Sequence, residues 1–167
     1  GLERNAFLYV DDARDYEKLL ANGSGKAKNG KPKARGISEV LKPGQSIIVQ
    51  VTKEPIGTKG ARVVTHLTIP GRYLVLMPTV DHVGVSRRIE DEKERERLKR
   101  LAKELKPKGM GLIVRTLAEG QSQDELEQDF KFLTKVWEQI LRHGKQTSAP
   151  ALLYKDHDLV FRLIRDS

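Results

Sequence analysis

Residues 109–120, GMGLIVRTLAEG, decide how the rest of the chain is read. Gly111-Leu112-Ile113-Val114 is a short apolar run bounded by glycine, the pattern of a buried strand. The run delivers Arg115 and Thr116 side by side onto a small loop that ends at Gly120. Loop residues held in place by a rigid element are where binding groups concentrate, so the pair is a candidate site. Arginine presents a planar fork of donors, and threonine adds a hydroxyl and a backbone N–H, which together suit a phosphate. A bidentate fork favours a terminal, dianionic phosphate over the single charge of an internal diester. The competing reading at this level is an ordinary salt bridge from Arg115 to one of the chain's many acids.

Composition narrows the partners. In 167 residues, 31 Lys and Arg stand against 23 Asp and Glu, a net charge of +8. Long-range attraction then favours polyanions such as RNA, DNA or anionic lipid surfaces. A hydrophobic content of 38% can bury a modest core, and no apolar run approaches the ~18 residues of a membrane helix. The absence of cysteine excludes disulfides, zinc-thiolate sites and cysteine nucleophiles in this sequence, and fits a reducing, cytoplasmic location. His66, His82, His143 and His157 lack the paired spacing of a metal site, so no metal is expected. Asp11-Asp12 and the Asp156/Asp158 pair could hold a cation, although exposed acidic turns are the commoner reading. No Walker loop, nucleophile elbow or dinucleotide fingerprint is present in the sequence.

Upstream of the opening stretch, Phe7, Tyr9 and Tyr16 lie close together and could stack on bases or simply pack. NAFLYV reads as a short strand with no partner strand nearby in sequence. Residues 22–36, NGSGKAKNGKPKARG, carry basic charge among glycines and read as a mobile loop or a solvated linker. SIIVQV, VVTHLTI and YLVLM then predict strands separated by glycine turns, as in a small antiparallel barrel or sheet. Lys59 falls in the Thr58-Lys59-Gly60 turn, where a lysine can meet a phosphate. Ser86-Arg87-Arg88 adds basic charge after a further candidate strand.

Two helices are expected. Residues 90–106 carry a narrow stripe at 98, 101 and 105, acids at the start and bases at the end. The second opens with the capping pattern Ser122-Gln123-Asp124-Glu125 and runs through Leu126, Phe130, Leu133, Trp137 and Ile140 to a break at His143-Gly144. Trp137 lies on that stripe and is read as core. ALLY is expected to form a short strand, and DLVFRLIRD to begin another helix.

The segments GLERNAFLYV, GQSIIVQVTKEPIGTKGARVVTHLTIPGRYLVLMP, GVSRRIED, GLIVRT and PALLY…DLVFRLIRD, in that order, resemble the bacterial ribonuclease E/G endoribonucleases. KEPIGTKGAR and GRYLVLMP look more like the shorter, G-type members. The resemblance implies an α+β chain: a partial antiparallel OB-type barrel over residues 1–70, then an α/β 5′-sensor subdomain with two long helices over 71–167, running into the start of an RNase H-like region. It implies that Arg115 and Thr116, with backbone from Gly71 and Val75, grip a 5′-monophosphate. Phe7 would contact a base, Lys59 the RNA backbone, and Arg87 and Arg88 would face RNA. Tyr16 is a further barrel aromatic on a looser match.

The whole enzyme would cleave single-stranded RNA using magnesium held downstream of this sequence, so the chain alone is expected to bind RNA and not cut it. A homo-oligomer is also consistent with such a protein. The alternatives are a free-standing RNA-binding module, or a scaffold whose sheet edge recruits proteins.

Overall fold

The computed structural model describes residues 5–9, 13 and 36–155. In chain order these form β1 (Phe7–Leu8), α1 (Ile37–Val40), β2 (Gln50–Lys53), β3 (Arg62–Val64), β4 (Ile69–Pro70), β5 (Leu74–Met77), β6 (His82–Val85), α2 (Glu92–Leu105), β7 (Gly111–Val114), a 3-10 turn (Thr116–Ala118) and α3 (Gln123–Gln146). The chain is α+β, an OB-type sheet followed by a helical subdomain. The basic stretch up to residue 35, Asp11, Asp12, Tyr16, and the closing segment with Asp156, His157 and Asp158 lie outside the described residues.

The GLIV run forms β7, inside a four-stranded sheet of order β4-β5-β7-β6. It pairs antiparallel with β5, Leu74 opposite Val114, and parallel with β6, Val85 opposite Val114. A parallel pair needs a crossover, and α2 supplies it between β6 and β7. Strands on both sides supply partners for the backbone N–H and C=O groups of β7. Leu74, Leu76, Leu112 and Val114 are fully buried with Leu98 and Ala102 of α2 and Leu126 and Leu133 of α3. Val75, Met77, Ile113 and Arg115 alternate with them and take the other, partly open face of the sheet.

Both long helices form close to their expected places. Asp91 caps α2, its carboxylate accepting from the Lys93 and Glu94 N–H groups at 2.8 and 3.3 Å. Ser122 Oγ accepts from the Glu125 N–H at 3.3 Å, one half of the expected capping box. Trp137 is 7% exposed and belongs to the core. α3 does not stop at Gly144 but continues to Gln146. Even in a helix interior a glycine costs only about 1 kcal/mol relative to alanine, and Gly144, in the last turn of α3, lies near Ile48 and Leu153. The expected ALLY strand is absent: residues 151–155 run without strand pairing. Leu153 instead packs against the core, and its carbonyl meets His143 Nδ1 at 3.2 Å.

The first sheet has the order β1-β3-β2. β2 and β3 are antiparallel, as expected, whereas β1 and β3 are parallel. NAFLYV therefore does have a partner, distant in sequence: Phe7 lies opposite Arg62 and Leu8 opposite Val63. VVTHLTI is not one strand. Its first half pairs in this sheet as β3, and its end pairs with β5 as β4. Of SIIVQV, only Gln50 and Val51 join the ladder. Gln50 nevertheless ties the two sheets together, its side-chain amide donating to the Thr68 carbonyl at 3.0 Å and accepting from the Thr68 N–H at 2.9 Å. Pro70-Gly71 separates β4 from β5, and Pro70 itself ends β4, an edge strand where its missing N–H is tolerated.

Candidate functional site

The end of β7 builds one site. The Arg115 N–H donates to the Tyr73 carbonyl at 2.7 Å, extending the β5–β7 ladder by one pair. Its guanidinium Nη1 donates to the Gly71 carbonyl at 2.6 Å. Among the described residues that is the side chain's one hydrogen-bond acceptor, so most of the fork's donors remain for a ligand. Thr116 Oγ1 lies 2.8 Å from Ser86 Oγ, joining the start of the 3-10 turn to the residue after β6. The result is an open cradle at one end of the sheet, with the guanidinium on the β5 side of β7 and the two hydroxyls on its β6 side. No acid of the described residues forms a salt bridge with Arg115, the competing reading from sequence.

Gly71 and Val75 enter this site differently from each other. The Gly71 N–H is already used, donating to the Leu74 carbonyl at 2.7 Å, so its part is to hold Arg115 through its carbonyl. Val75 stands opposite both Pro70 and Ile113, inside the sheet and on the same face as Arg115. The turn from Gly71 to Leu74 sits on a residue that the sequence reading missed. Asp129 of α3 accepts from the N–H groups of Arg72, Tyr73 and Leu74 at 3.0, 2.8 and 2.9 Å. A signal for it existed: Asp129 shares the helical stripe of Leu126 and Leu133, and an acid on a buried stripe requires partners.

The loop after Thr116 is held from the other side. Glu94 accepts from Arg97 at 2.6 and 2.8 Å and from the Gly120 N–H at 2.8 Å. Arg97 also donates to the Gln121 carbonyl at 2.9 Å. These bonds, Arg97 foremost, hold the Glu94 carboxyl down at about 2. Gly120 has φ +74°, the left-handed region that glycine enters without strain.

Arg87 and Arg88 are exposed and follow Ser86 directly. Their turn is fixed by Arg95, whose Nη1 donates to the carbonyls of Ser86 at 2.6 Å and Ile89 at 3.0 Å. Basic charge is therefore presented outward next to the Ser86–Thr116 pair.

A second site forms on the first sheet. Phe7 and Tyr9, two residues apart in an extended segment, meet edge to face with ring centroids 5.4 Å apart. Lys59 Nζ lies 4.9 Å from the Phe7 centroid, and the Arg62 guanidinium 4.8 Å from that of Tyr9. Phe7 and Lys59, singled out separately in the sequence, are thus neighbours. The reason is local backbone: Lys59 sits in a tight turn closed by paired bonds with Ile56 at 2.9 and 3.1 Å. The chain then passes so close to β1 that a Cβ on Gly60 would overlap the Asn5 carbonyl. Aromatic rings flanked by cations form a surface on which bases stack and phosphates are neutralised.

Among the described residues no group of three or more His, Asp or Glu could hold a metal ion. None of their helices is long and apolar enough to cross a membrane.

A guanidinium and two hydroxyls at one end of an α/β sheet, and aromatic–cation pairs on the other sheet, are groups suited to a polyanion. Comparison with known proteins makes this specific. The family model for the ribonuclease E/G family matches residues 68–167. Ribonuclease E of Nostoc sp. is 45% identical over 164 residues, 98% of this chain and 22% of that protein. Ribonuclease G of Escherichia coli is 42% identical over 166 residues, 99% of this chain and 33% of that protein. Ribonuclease G of Haemophilus influenzae matches to the same degree. The chain belongs to the ribonuclease E/G family. It spans between about a fifth and a third of these relatives, and identities this similar do not separate the E type from the G type.

Proposed function

We propose that this chain is the RNA-binding and 5′-monophosphate-sensing portion of an endoribonuclease that cleaves single-stranded RNA in RNA processing and decay. The observation that carries the reading is the Arg115 guanidinium, held at 2.6 Å by the Gly71 carbonyl at the same end of β7 as the Thr116–Ser86 hydroxyl pair. A terminal monophosphate offers a dianion to that fork, and its oxygens accept from the hydroxyls and the remaining guanidinium donors. A 5′-hydroxyl offers no such charge. Phe7 and Lys59 form the second point of attachment, Phe7 stacking on a base and Lys59 neutralising the backbone, while Arg87 and Arg88 add charge near the cradle. Division of labour follows: the first sheet holds the strand and the cradle reads its end.

Cleavage belongs to the whole protein. Magnesium is the ion we propose for it, and the described residues provide no cluster to bind that ion. We place the protein in the cytoplasm, where its RNA substrates lie, and propose that it works as a homo-oligomer.

The test is fluorescence anisotropy with a short A/U-rich RNA carrying a 5′-monophosphate or a 5′-hydroxyl, at one fixed salt concentration. The monophosphate should bind more tightly, and Arg115→Ala should remove the difference. Equal binding of the two RNAs, unchanged in the variant, would favour a free-standing RNA-binding module. Failure to bind either RNA would leave a protein-interaction scaffold.

A further inference from the structure

We propose that Asp129 is the positioning residue of the phosphate cradle: it fills an anion nest in the Gly71–Leu74 turn and so aims the Gly71 carbonyl at Arg115. The inference rests on the phosphate reading given above. Three successive backbone N–H groups pointing to one spot form a concavity that attracts anions. Here the N–H groups of Arg72, Tyr73 and Leu74 converge on the two oxygens of one carboxylate, at 2.8 to 3.0 Å. The occupant is internal, so the nest does not compete with the cradle for a ligand phosphate.

The fit is close on both sides. A Cβ on Gly71 would stand 2.5 and 2.7 Å from the Asp129 oxygens, which only glycine avoids without displacing the carboxylate. Asp129 is itself fixed because Leu126 and Leu133, on the same stripe of α3, are fully buried. The turn then holds Arg115 at two points. The Tyr73 carbonyl accepts from its backbone N–H at 2.7 Å, and the Gly71 carbonyl accepts from its guanidinium at 2.6 Å. A continuous series of hydrogen bonds thus runs from the core helix to the tip of the arginine. Without the carboxylate, three N–H donors lose their acceptor and the turn relaxes. The guanidinium then loses the orientation that makes bidentate contact possible.

Asp129→Asn keeps the shape of the side chain but turns an NH2 donor toward backbone N–H groups. In this variant the preference for 5′-monophosphate over 5′-hydroxyl RNA should fall about tenfold, as expected for weakened charged hydrogen bonds. Affinity for the 5′-hydroxyl RNA should stay within about twofold, since stacking and backbone contacts on the first sheet do not involve the turn. Ile140→Ala, buried on the same helix far from the turn, should lower the melting temperature and keep the preference. A folded Asp129→Asn chain that retains the full preference, while Arg115→Ala has lost it, overturns the positioning role and leaves the phosphate reading standing. No preference in the unaltered chain overturns both.

If Asp129→Asn does not fold, amide hydrogen exchange in the unaltered chain decides. The Arg72, Tyr73 and Leu74 amides should be protected, and more so with the monophosphorylated RNA bound. Exchange at solvent rates, with or without RNA, would refute the filled nest.

Discussion

The two sheets are built to opposite standards. The four-stranded sheet and its helices share a continuous core from Leu67 to Ile140, with ten side chains wholly excluded from solvent. The three-stranded sheet has only Val40, Ala61 and Val63 as buried apolar residues in residues 36–64, and it presents Tyr9, Val51 and Ile56 to solvent. The difference matches what each would recognise under the proposed function. Stacking on a base tolerates displacement, because every base has a broad face. Distinguishing a terminal phosphate from a hydroxyl requires donors fixed in direction, and that rigidity comes from packing.

The sharpest way to break this comparison is to remove core volume from each side. Leu112→Ala should cost about 2–5 kcal/mol, as for other fully buried leucines. Val63→Ala should cost less, about 1–2 kcal/mol at roughly 0.8 per buried methylene. Urea denaturation followed by Trp137 fluorescence measures the first. Far-ultraviolet circular dichroism is needed for the second. Equal costs would show that the first sheet is as well supported as the second.

Binding should separate the two regions next. Arg115→Ala is expected to lose about 1–3 kcal/mol, confined to RNA with a 5′-monophosphate. Phe7→Ala should lose a similar or smaller amount, within the ~1–3 kcal/mol of a stacked base, from both RNAs alike. Lys59→Ala should lower the slope of log affinity against log salt by about 0.7, the share of one phosphate contact on a single strand. Anisotropy titrations at several salt concentrations report all three. A Phe7 effect that depends on the 5′ end would join the two sites into one.

The smallest effect concerns the loop after Thr116. Glu94 has its carboxyl lowered from 4.5 to about 2 by Arg97 and the Gly120 N–H. A lowered folded value contributes stability that is complete above the unfolded value and is lost as pH falls toward the folded one. Its contribution should therefore fade between about pH 5 and pH 2, by no more than about 1 kcal/mol for a pair still partly in water. Melting curves across that range should show a shallower acid slope in Glu94→Gln. An identical slope would show that the loop is held by Arg97 and the Gln121 carbonyl without help from Glu94.

Periodicity and punctuation in the sequence determine much of this molecule. The 111–114 strand, both long helices, the Ser122 cap and the buried Trp137 follow from apolar spacing and capping residues, which act within a few positions of themselves. Arg115 and Thr116 are conspicuous for the same reason: a buried strand ends and two donors follow. The family resemblance extends that reading to Gly71, Val75, Phe7 and Lys59.

Pairing across long distances was decided only in the tertiary structure. The sequence does not show that β1 finds β3, that VVTHLTI is divided between two sheets, or that α3 passes through Gly144, because each depends on contacts made by segments far apart. The same holds for the proposed role of Asp129. An acid on the apolar stripe of a helix announces that it has partners, but their identity exists only once α3 lies beneath the Gly71–Leu74 turn. Hydrogen bonds between distant backbone groups are set by the packing of the elements that carry them, and that packing is a property of the whole fold.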